Sequence, residues 1–272
     1  LIDEADFVAV HQFGLLSQMP TLDVAKKGSK VLINTPFAAD ETWDKLPVEV
    51  QQVIIDKALE VYVIDAAAVA NKVGMGKRIN TVMQPCFFYL SGVVPADQAI
   101  AKIKKSVEDT YGRKGRVIVE RNWAAIDSAI EALSKLEIPA SATGTEHRMP
   151  AVPASAPDFV KTVTQKMLFG QGEEIPVSGM PIDGTWPTAT AQYEKRGIAD
   201  SIPIWDPSLC IDCGKCAMVC PHSAIRIKLM PGDALASAPE SFKSKDYRDR
   251  TLLGHKLVVQ TAPDDCTGCG VC

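Results

Sequence analysis

Seven of the eight cysteines in the chain lie between residues 210 and 272, in two runs of similar spacing. CIDCGKCAMVCP covers residues 210–221 and CTGCGVC covers residues 266–272. Three cysteines separated by two residues each form a tight loop that presents three thiolates to one face of an iron–sulfur cube. The pattern therefore predicts seven metal ligands: Cys210, Cys213, Cys216, Cys220, Cys266, Cys269 and Cys272.

The spacing Cys-x2-Cys-x2-Cys-x3-Cys-Pro is typical of a 4Fe–4S cluster. Zinc is the alternative, but it usually takes two cysteine pairs set well apart. In two-cluster ferredoxins the fourth cysteine of a run binds the other cluster. We therefore expect the first loop (residues 210–216) to hold one cluster, while Cys220 joins the second loop (residues 266–272) around another. The remaining ligand of the first cluster is expected beyond Cys272.

Backbone freedom is the second requirement of such loops. Glycine permits positive φ angles and lets the backbone approach a cluster closely. The residues expected to supply this freedom are Gly214, Gly268 and Gly270.

Other candidates have simpler interpretations. Cys86, among apolar and aromatic residues, is predicted to be a buried apolar side chain. His222 is predicted to lie near a cluster or on the surface, and GMG at 74–76 is predicted to be a turn. Four basic residues near one another in the sequence could dock an acidic partner: Lys243, Lys245, Arg248 and Arg250. Residues 221–265 contain seven basic and six acidic residues, and this mixed charge favours a solvated face instead.

The composition narrows the class of protein. The 272 residues have a formal net charge of −4, which argues against a role at nucleic acids or membrane surfaces. No apolar run reaches the ~18–20 residues that cross a bilayer. The clustered cysteines favour metal ligation in a reducing compartment over disulfides. Because Leu1 opens what reads as an interior segment, both ends are expected to be cuts in a longer chain.

Residues 1–139 alternate strand-like and helix-like segments. Short apolar runs predict buried strands at 6–10, 30–34 and 61–65. Amphipathic spacing predicts helices over 48–60, after Pro95 and within 115–136. This alternation implies an α/β fold with a mostly parallel sheet covered on both faces. No strand followed by a glycine-rich turn opens the domain, so its front part is expected to be missing.

Proline content changes at Pro139, since residues 139–207 hold nine of the 18 prolines. Proline fixes φ and removes an amide donor, so neither a sheet nor a long helix is expected there. The sequence therefore predicts an α/β domain over 1–139, an extended proline-rich linker over 140–207, and an α+β ferredoxin-like domain with two 4Fe–4S motifs over 208–272.

Several stretches resemble the pyruvate:ferredoxin (flavodoxin) oxidoreductase family. RINTVMQPCFFYLSGVVP at 78–95 and YGRKGRVIVERN at 111–122 are similar to its gamma-type domain. Residues 175–228, in which GTWPTATAQYEKRGIA precedes WDPSLCIDCGKC, are similar to its linker and inserted ferredoxin domain. APDDCTGCGVC at 262–272 is similar to that domain's second cluster motif.

The resemblance implies oxidative decarboxylation of pyruvate with coenzyme A to acetyl-CoA and CO2, with electrons leaving to ferredoxin or flavodoxin. It places thiamine diphosphate, Mg²⁺ and a third 4Fe–4S cluster in domains outside this chain, so no catalytic residue is expected here. It also implies a homodimer in the cytoplasm, or in an anaerobic organelle of a eukaryote. Coenzyme A contacts are not assigned; Lys77 and Arg78 are basic residues near a loop end.

Two other functions remain open from the sequence. The same fold could serve another 2-oxoacid, because substrate specificity belongs to the absent domains. A stand-alone electron-transfer ferredoxin with an α/β scaffold is the second alternative, and the similarity of the linker argues against it. A purely structural protein is hard to reconcile with seven cysteines at ligand spacing.

Overall fold

A computed structural model of the chain describes residues 2–76, 78–195, 197–199 and 201–272. The chain divides into two compact units, Leu1–Pro150 and Ala151–Cys272. Within the described residues, no helix has the length and apolar character needed to cross a membrane.

The first unit is built on a four-stranded sheet. Its strands are β1 (Ala5–Val10), β2 (Ala25–Asn34), β3 (Glu60–Ile64) and β4 (Ser134–Lys135). They lie in the order β1-β2-β3-β4, and the first three are parallel while β4 is antiparallel. The three predicted strands and the mostly parallel sheet are confirmed.

Helices cover both faces of this sheet. Among the described residues of this unit, the α-helices are α1 (Ala39–Thr42), α2 (Val48–Asp56), α3 (Ala66–Lys72), α4 (Asn80–Ser91), α5 (Ala96–Tyr111) and α6 (Arg116–Glu131). Val31 and Ile33 of β2 pack with α2 in one buried cluster. Leu32 between them packs with α3, α4 and α6 in another. Successive side chains of a strand point to opposite faces, so one apolar run supplies both layers of an α/β fold.

Two helices differ from the sequence-based expectation. Helix α2 ends at Asp56 rather than at residue 60, because Ala58 has a left-handed φ of 49° and Glu60 already begins β3. Helix α4 was not predicted, since Pro85 lies inside it and proline usually breaks a helix. Its buried stripe of Val82, Cys86 and Leu90 nevertheless has helical spacing.

The proline-rich part of the second unit is not wholly extended. A π-helical turn at Val160–Thr164 leads directly into α7 (Gln165–Leu168). Val160 is buried in a small apolar cluster. The helix forms because residues 158–175 contain no proline. The described residues of 140–207 include no strand. The predicted three-part domain division stays a prediction.

The end of the second unit contains a small antiparallel sheet. Helix α8 (Lys215–Val219) precedes it, and its strands are β5 (Ile225–Pro231), β6 (Lys245–Asp246) and β7 (His255–Thr261). They lie in the order β5-β7-β6, with β7 in the centre. Three cysteines of the first run pack against buried residues of this sheet: Cys210, Cys216 and Cys220.

Candidate functional site

The first loop turns sharply before it enters α8. Asp212 and Gly214 both have left-handed backbones, with φ angles of 64° and 69°. The turn allows the Asp212 N–H to donate to the Cys210 Sγ at 3.4 Å. A left-handed aspartate is uncommon and holds backbone strain. The local conformation therefore points a backbone donor at a cysteine sulfur.

The second loop repeats this conformation. Gly268 and Gly270, at the third and fifth positions of the motif, have φ angles of 69° and 72°. The Gly268 N–H donates to the Cys266 Sγ at 3.4 Å, as Asp212 does in the first loop. The predicted positive φ of all three glycines is confirmed. The role of Asp212 was missed, although glycine at the matching position of the second loop was a signal for it.

Cys220 lies outside both loops, at the end of α8. The Ala224 N–H donates to its Sγ at 3.3 Å. Backbone N–H groups of Ile225 and His222 are the leading causes that lower the pKa of the Cys220 thiol. These donors favour the thiolate, which is the form that binds metal. The His222 side chain itself is exposed, in line with the surface alternative for this residue.

A cavity of about 600 Å³ opens beside the first loop. Three cysteines of the first loop line it, together with Cys272 of the second loop, whereas Cys220 does not. Its apolar wall comes from alternate residues of β5 and their partners on β7. These cross-strand pairs are Ile225 with Thr261, Ile227 with Val259, and Leu229 with Leu257. The thiols of the first loop therefore line an open, mostly apolar cavity.

The environment of Trp205 indicates whether an iron–sulfur cluster fits this cavity. The indole lines the cavity, and its Nε1 is buried without an acceptor among the described residues. A buried N–H that lacks a partner costs about 1–3 kcal/mol. Sulfur atoms of a cluster accept hydrogen bonds from such donors. The three thiols, the apolar wall and this donor fit a 4Fe–4S cluster.

A site for a single metal ion is not assembled in the described part of the chain. No three His, Cys, Asp or Glu side chains converge there closely enough to hold one ion. A cube of iron and sulfur holds its thiolates farther apart than a single tetrahedral ion does.

An ion pair fastens the first loop to the small sheet. Lys245 on β6 lies 2.8 Å from the Asp212 carboxylate and donates to the Cys210 carbonyl at 2.6 Å. The hydrogen bond from Lys245 is the leading cause that lowers the pKa of the Asp212 carboxyl. Arg248 lies 3.7 Å from the same carboxylate, and Lys243 donates to the Trp205 carbonyl. Three of the four basic residues considered for docking thus have contacts within the chain.

The remaining candidates lie in the first unit. Cys86 is fully buried, its Sγ donates to the Val82 carbonyl, and burial raises its pKa to about 12. Its prediction as a buried apolar residue is confirmed. Gly74 and Gly76 have positive φ angles and belong to the predicted turn. Lys77 lies outside the described residues, and the backbone N–H of Arg78 donates to the Met75 carbonyl.

Comparison with known proteins agrees with this site. The family model described as pyruvate ferredoxin/flavodoxin oxidoreductase matches residues 1–132, and the 4Fe-4S binding domain matches residues 203–226. A pyruvate-flavodoxin oxidoreductase of Rhodospirillum rubrum is 50% identical over 100% of this chain. Over its whole length the chain is therefore similar to pyruvate ferredoxin/flavodoxin oxidoreductases. Similar relatives are a pyruvate-flavodoxin oxidoreductase of Trichormus variabilis, 47% identical, and a pyruvate:ferredoxin oxidoreductase of Moorella thermoacetica, 42% identical.

The chain spans 23% of the length of each of these three family members. Residues 145–199 match a further family model, EKR, described as a domain of unknown function. A solved pyruvate oxidoreductase subunit from Thermotoga maritima is 19% identical, with a TM-score of 0.39 over 50% of this chain and 67% of that chain. That structural likeness is too low to support an argument.

Proposed function

We propose that this chain is the electron-relay segment of an enzyme that oxidatively decarboxylates pyruvate with coenzyme A, giving acetyl-CoA and CO2. In this proposal two 4Fe–4S clusters in the segment pass electrons to ferredoxin or flavodoxin. The single observation that carries it is the repeated loop conformation, in which a backbone N–H faces the first cysteine of each run.

The proposed ligands follow the crossed arrangement. Cys210, Cys213 and Cys216 hold the first cluster, whose remaining ligand lies beyond Cys272. Cys220 binds the second cluster with Cys266, Cys269 and Cys272. The cavity is lined by all three cysteines of the first loop and not by Cys220, as this assignment expects. Cys272 also lines it, so the assignment of Cys272 to the second cluster rests on the spacing of the motif. Only three residues, 217–219 of α8, separate Cys220 from Cys216 of the first loop, which brings the two clusters close together.

The clusters, when bound, carry one electron at a time at low potential. The residues of this chain supply the surroundings. Ile225, Ile227 and their partners on β7 form an apolar wall beside the first cluster. Backbone donors near Cys210 and Cys266 stabilise the thiolates, and such hydrogen bonds to sulfur also tune the potential.

The remainder of the enzyme is proposed from the relatives. Thiamine diphosphate, Mg²⁺ and a third 4Fe–4S cluster belong to domains outside this chain, and the first unit contributes to coenzyme A binding. We place the enzyme in the cytoplasm, or in an anaerobic organelle of a eukaryote, as a homodimer.

The proposal is tested with the native full-length protein, purified without oxygen. We expect it to reduce a viologen dye only when pyruvate and coenzyme A are both present. Replacing pyruvate with 2-oxoglutarate tests the alternative substrate in the same assay. Dye reduction with 2-oxoglutarate and coenzyme A, but not with pyruvate and coenzyme A, would reassign the substrate. If protein with its full iron content reduced the dye with neither acid, the oxidoreductase role would be rejected.

A further inference from the structure

The end of the EKR segment, residues 145–199, lies alongside the second loop. The Lys195 ammonium lies 2.5 Å from the Asp265 carboxylate. Two residues later, the Gly197 N–H donates to the Asp264 carbonyl at 3.1 Å. Both contacts join the segment to the residues that immediately precede Cys266.

The contact continues into the second loop itself. A Cβ atom placed on Gly268 would lie 3.5 Å from the Ala199 Cβ and 3.5 Å from the Ser201 carbonyl oxygen. Residues 195, 197, 199 and 201 thus each lie against residues 264–268, which lead into and form the start of the second loop.

Asp265 joins three segments of the second unit. In addition to Lys195, it binds Arg226 of β5 at 2.8 Å. The Asp265 side chain is 20% exposed and that of Lys195 is 36% exposed, so the pair is partly shielded from solvent. The position directly before Cys266 means that movement of Asp265 moves the first ligand of the second loop.

We propose that the EKR segment is a positioning strap for the second iron–sulfur cluster. Lys195, Gly197 and Ala199 hold residues 264–268 in place, so that the three thiols of the second loop keep the conformation that accepts a cluster. This role rests on the proposed function, in which Cys266, Cys269 and Cys272 are cluster ligands.

The test uses the anaerobic full-length protein and follows release of iron to a chelator. Lys195→Met removes the ammonium and keeps much of the side-chain length. We expect iron release from the second cluster to become about two- to fivefold faster, which is the range of a partly exposed ion pair. Lys195→Arg keeps the charge and is expected to restore the rate.

Lys166→Met is the matched control. Lys166 belongs to the same segment, is also 36% exposed, and pairs with Glu174 at 3.3 Å, away from the cysteine loops. We expect it to leave both release rates unchanged. The second cluster is identified as the release phase and paramagnetic resonance signal lost in Cys269→Ala.

A second measurement does not need the cluster. Hydrogen exchange of backbone amides over 264–268, measured on iron-depleted protein, is expected to speed up in Lys195→Met and not in Lys166→Met. If Cys269→Ala removes no iron, the cluster assignment in the proposed function is wrong. If the second cluster is present but Lys195→Met changes neither its release nor the exchange, the strap is wrong while the proposed function stands.

Discussion

Lys245 Nζ lies 2.8 Å from the Asp212 carboxylate and 2.6 Å from the Cys210 carbonyl oxygen, so one ammonium holds two points of the first loop. Both side chains are largely buried, with 10% of Asp212 and 15% of Lys245 exposed. Asp212 also occupies a left-handed backbone conformation that glycine fills in the second loop. The ion pair therefore offsets the strain of an aspartate at that position.

Replacing Lys245 tests whether its ion pair with Asp212 stabilises the first loop. We expect Lys245→Met to lower the stability of the second unit by about 2 kcal/mol, because it leaves a largely buried carboxylate with only the Arg248 guanidinium, 3.7 Å away, as a charged partner. Iron in the first cluster is expected to fall with it. Calorimetric unfolding and iron content measure the two effects. Lys256→Met is the control, since Lys256 pairs with an Asp246 side chain that is 85% exposed and is expected to contribute at most about 1 kcal/mol. Equal effects of the two variants would contradict the role of Lys245.

The crossed ligation predicts an unusual effect of changing Cys220. We expect Cys220→Ala to damage the second cluster and leave the first, although Cys220 follows Cys216 by only one turn of helix. Cys216→Ala is the matched variant and is expected to damage the first cluster. Iron counting with electron paramagnetic resonance separates the two signals. Loss of the first cluster in Cys220→Ala would show that each run ligates its own cluster.

The lowered pKa of Glu49 leads us to expect that the first unit loses stability in acid. Its pKa is lowered to about 2, first by a hydrogen bond with His147 and then by the Arg148 N–H. The folded pKa lies below the unfolded value of 4.5, so the stabilising contribution is complete above pH 4.5 and is lost as the pH falls towards 2. Because the Glu49 side chain is 41% exposed, we expect no more than about 1 kcal/mol.

Urea unfolding at several pH values checks this contribution. Glu49→Gln is expected to be less stable than the original chain near neutral pH and to approach it as the pH falls through this window. A constant difference between the two proteins across that window would contradict the assignment to the Glu49 carboxyl.

Cys86 is expected to bind no iron. It is fully buried in the apolar cluster between β2 and helices α3, α4 and α6, and its raised pKa keeps it a neutral thiol near neutral pH. We expect Cys86→Ala to retain the full iron content and to cost about 1 kcal/mol of stability from lost packing. Cys213→Ala is the contrasting variant, in which iron is expected to fall. Iron loss in Cys86→Ala in a protein that remains folded would refute this expectation.

The local features of the site could be predicted from the sequence because they depend on spacing over a few residues. Cysteine spacing gave the two loops, and the glycines of those loops have the expected positive φ angles. The alternation of strand-like and helix-like segments predicted the mostly parallel sheet. These signals need no knowledge of distant parts of the chain.

The contacts that anchor the loops could not be predicted in this way. Lys195 and Asp265 are 70 positions apart, and nothing in either local sequence indicates that they pair. The pairing of Lys245 with Asp212 likewise depends on how β6 joins the sheet. Helix α4 was missed for a different reason, because a buried proline inside a helix opposes the usual backbone preference.

Strand β5 restricts which insertions and deletions the second unit can accept. Ile225 lines the cavity, while the neighbouring Arg226 binds Asp265 below the second loop. A shift of one residue along β7 would exchange these two faces, turning a guanidinium into the apolar cavity. We therefore expect insertions or deletions between Cys220 and Ile225 to disrupt the second unit. The connection over residues 232–244 leads only to the short edge strand β6, and variation in its length is expected to be tolerated as long as Lys245 still reaches Asp212.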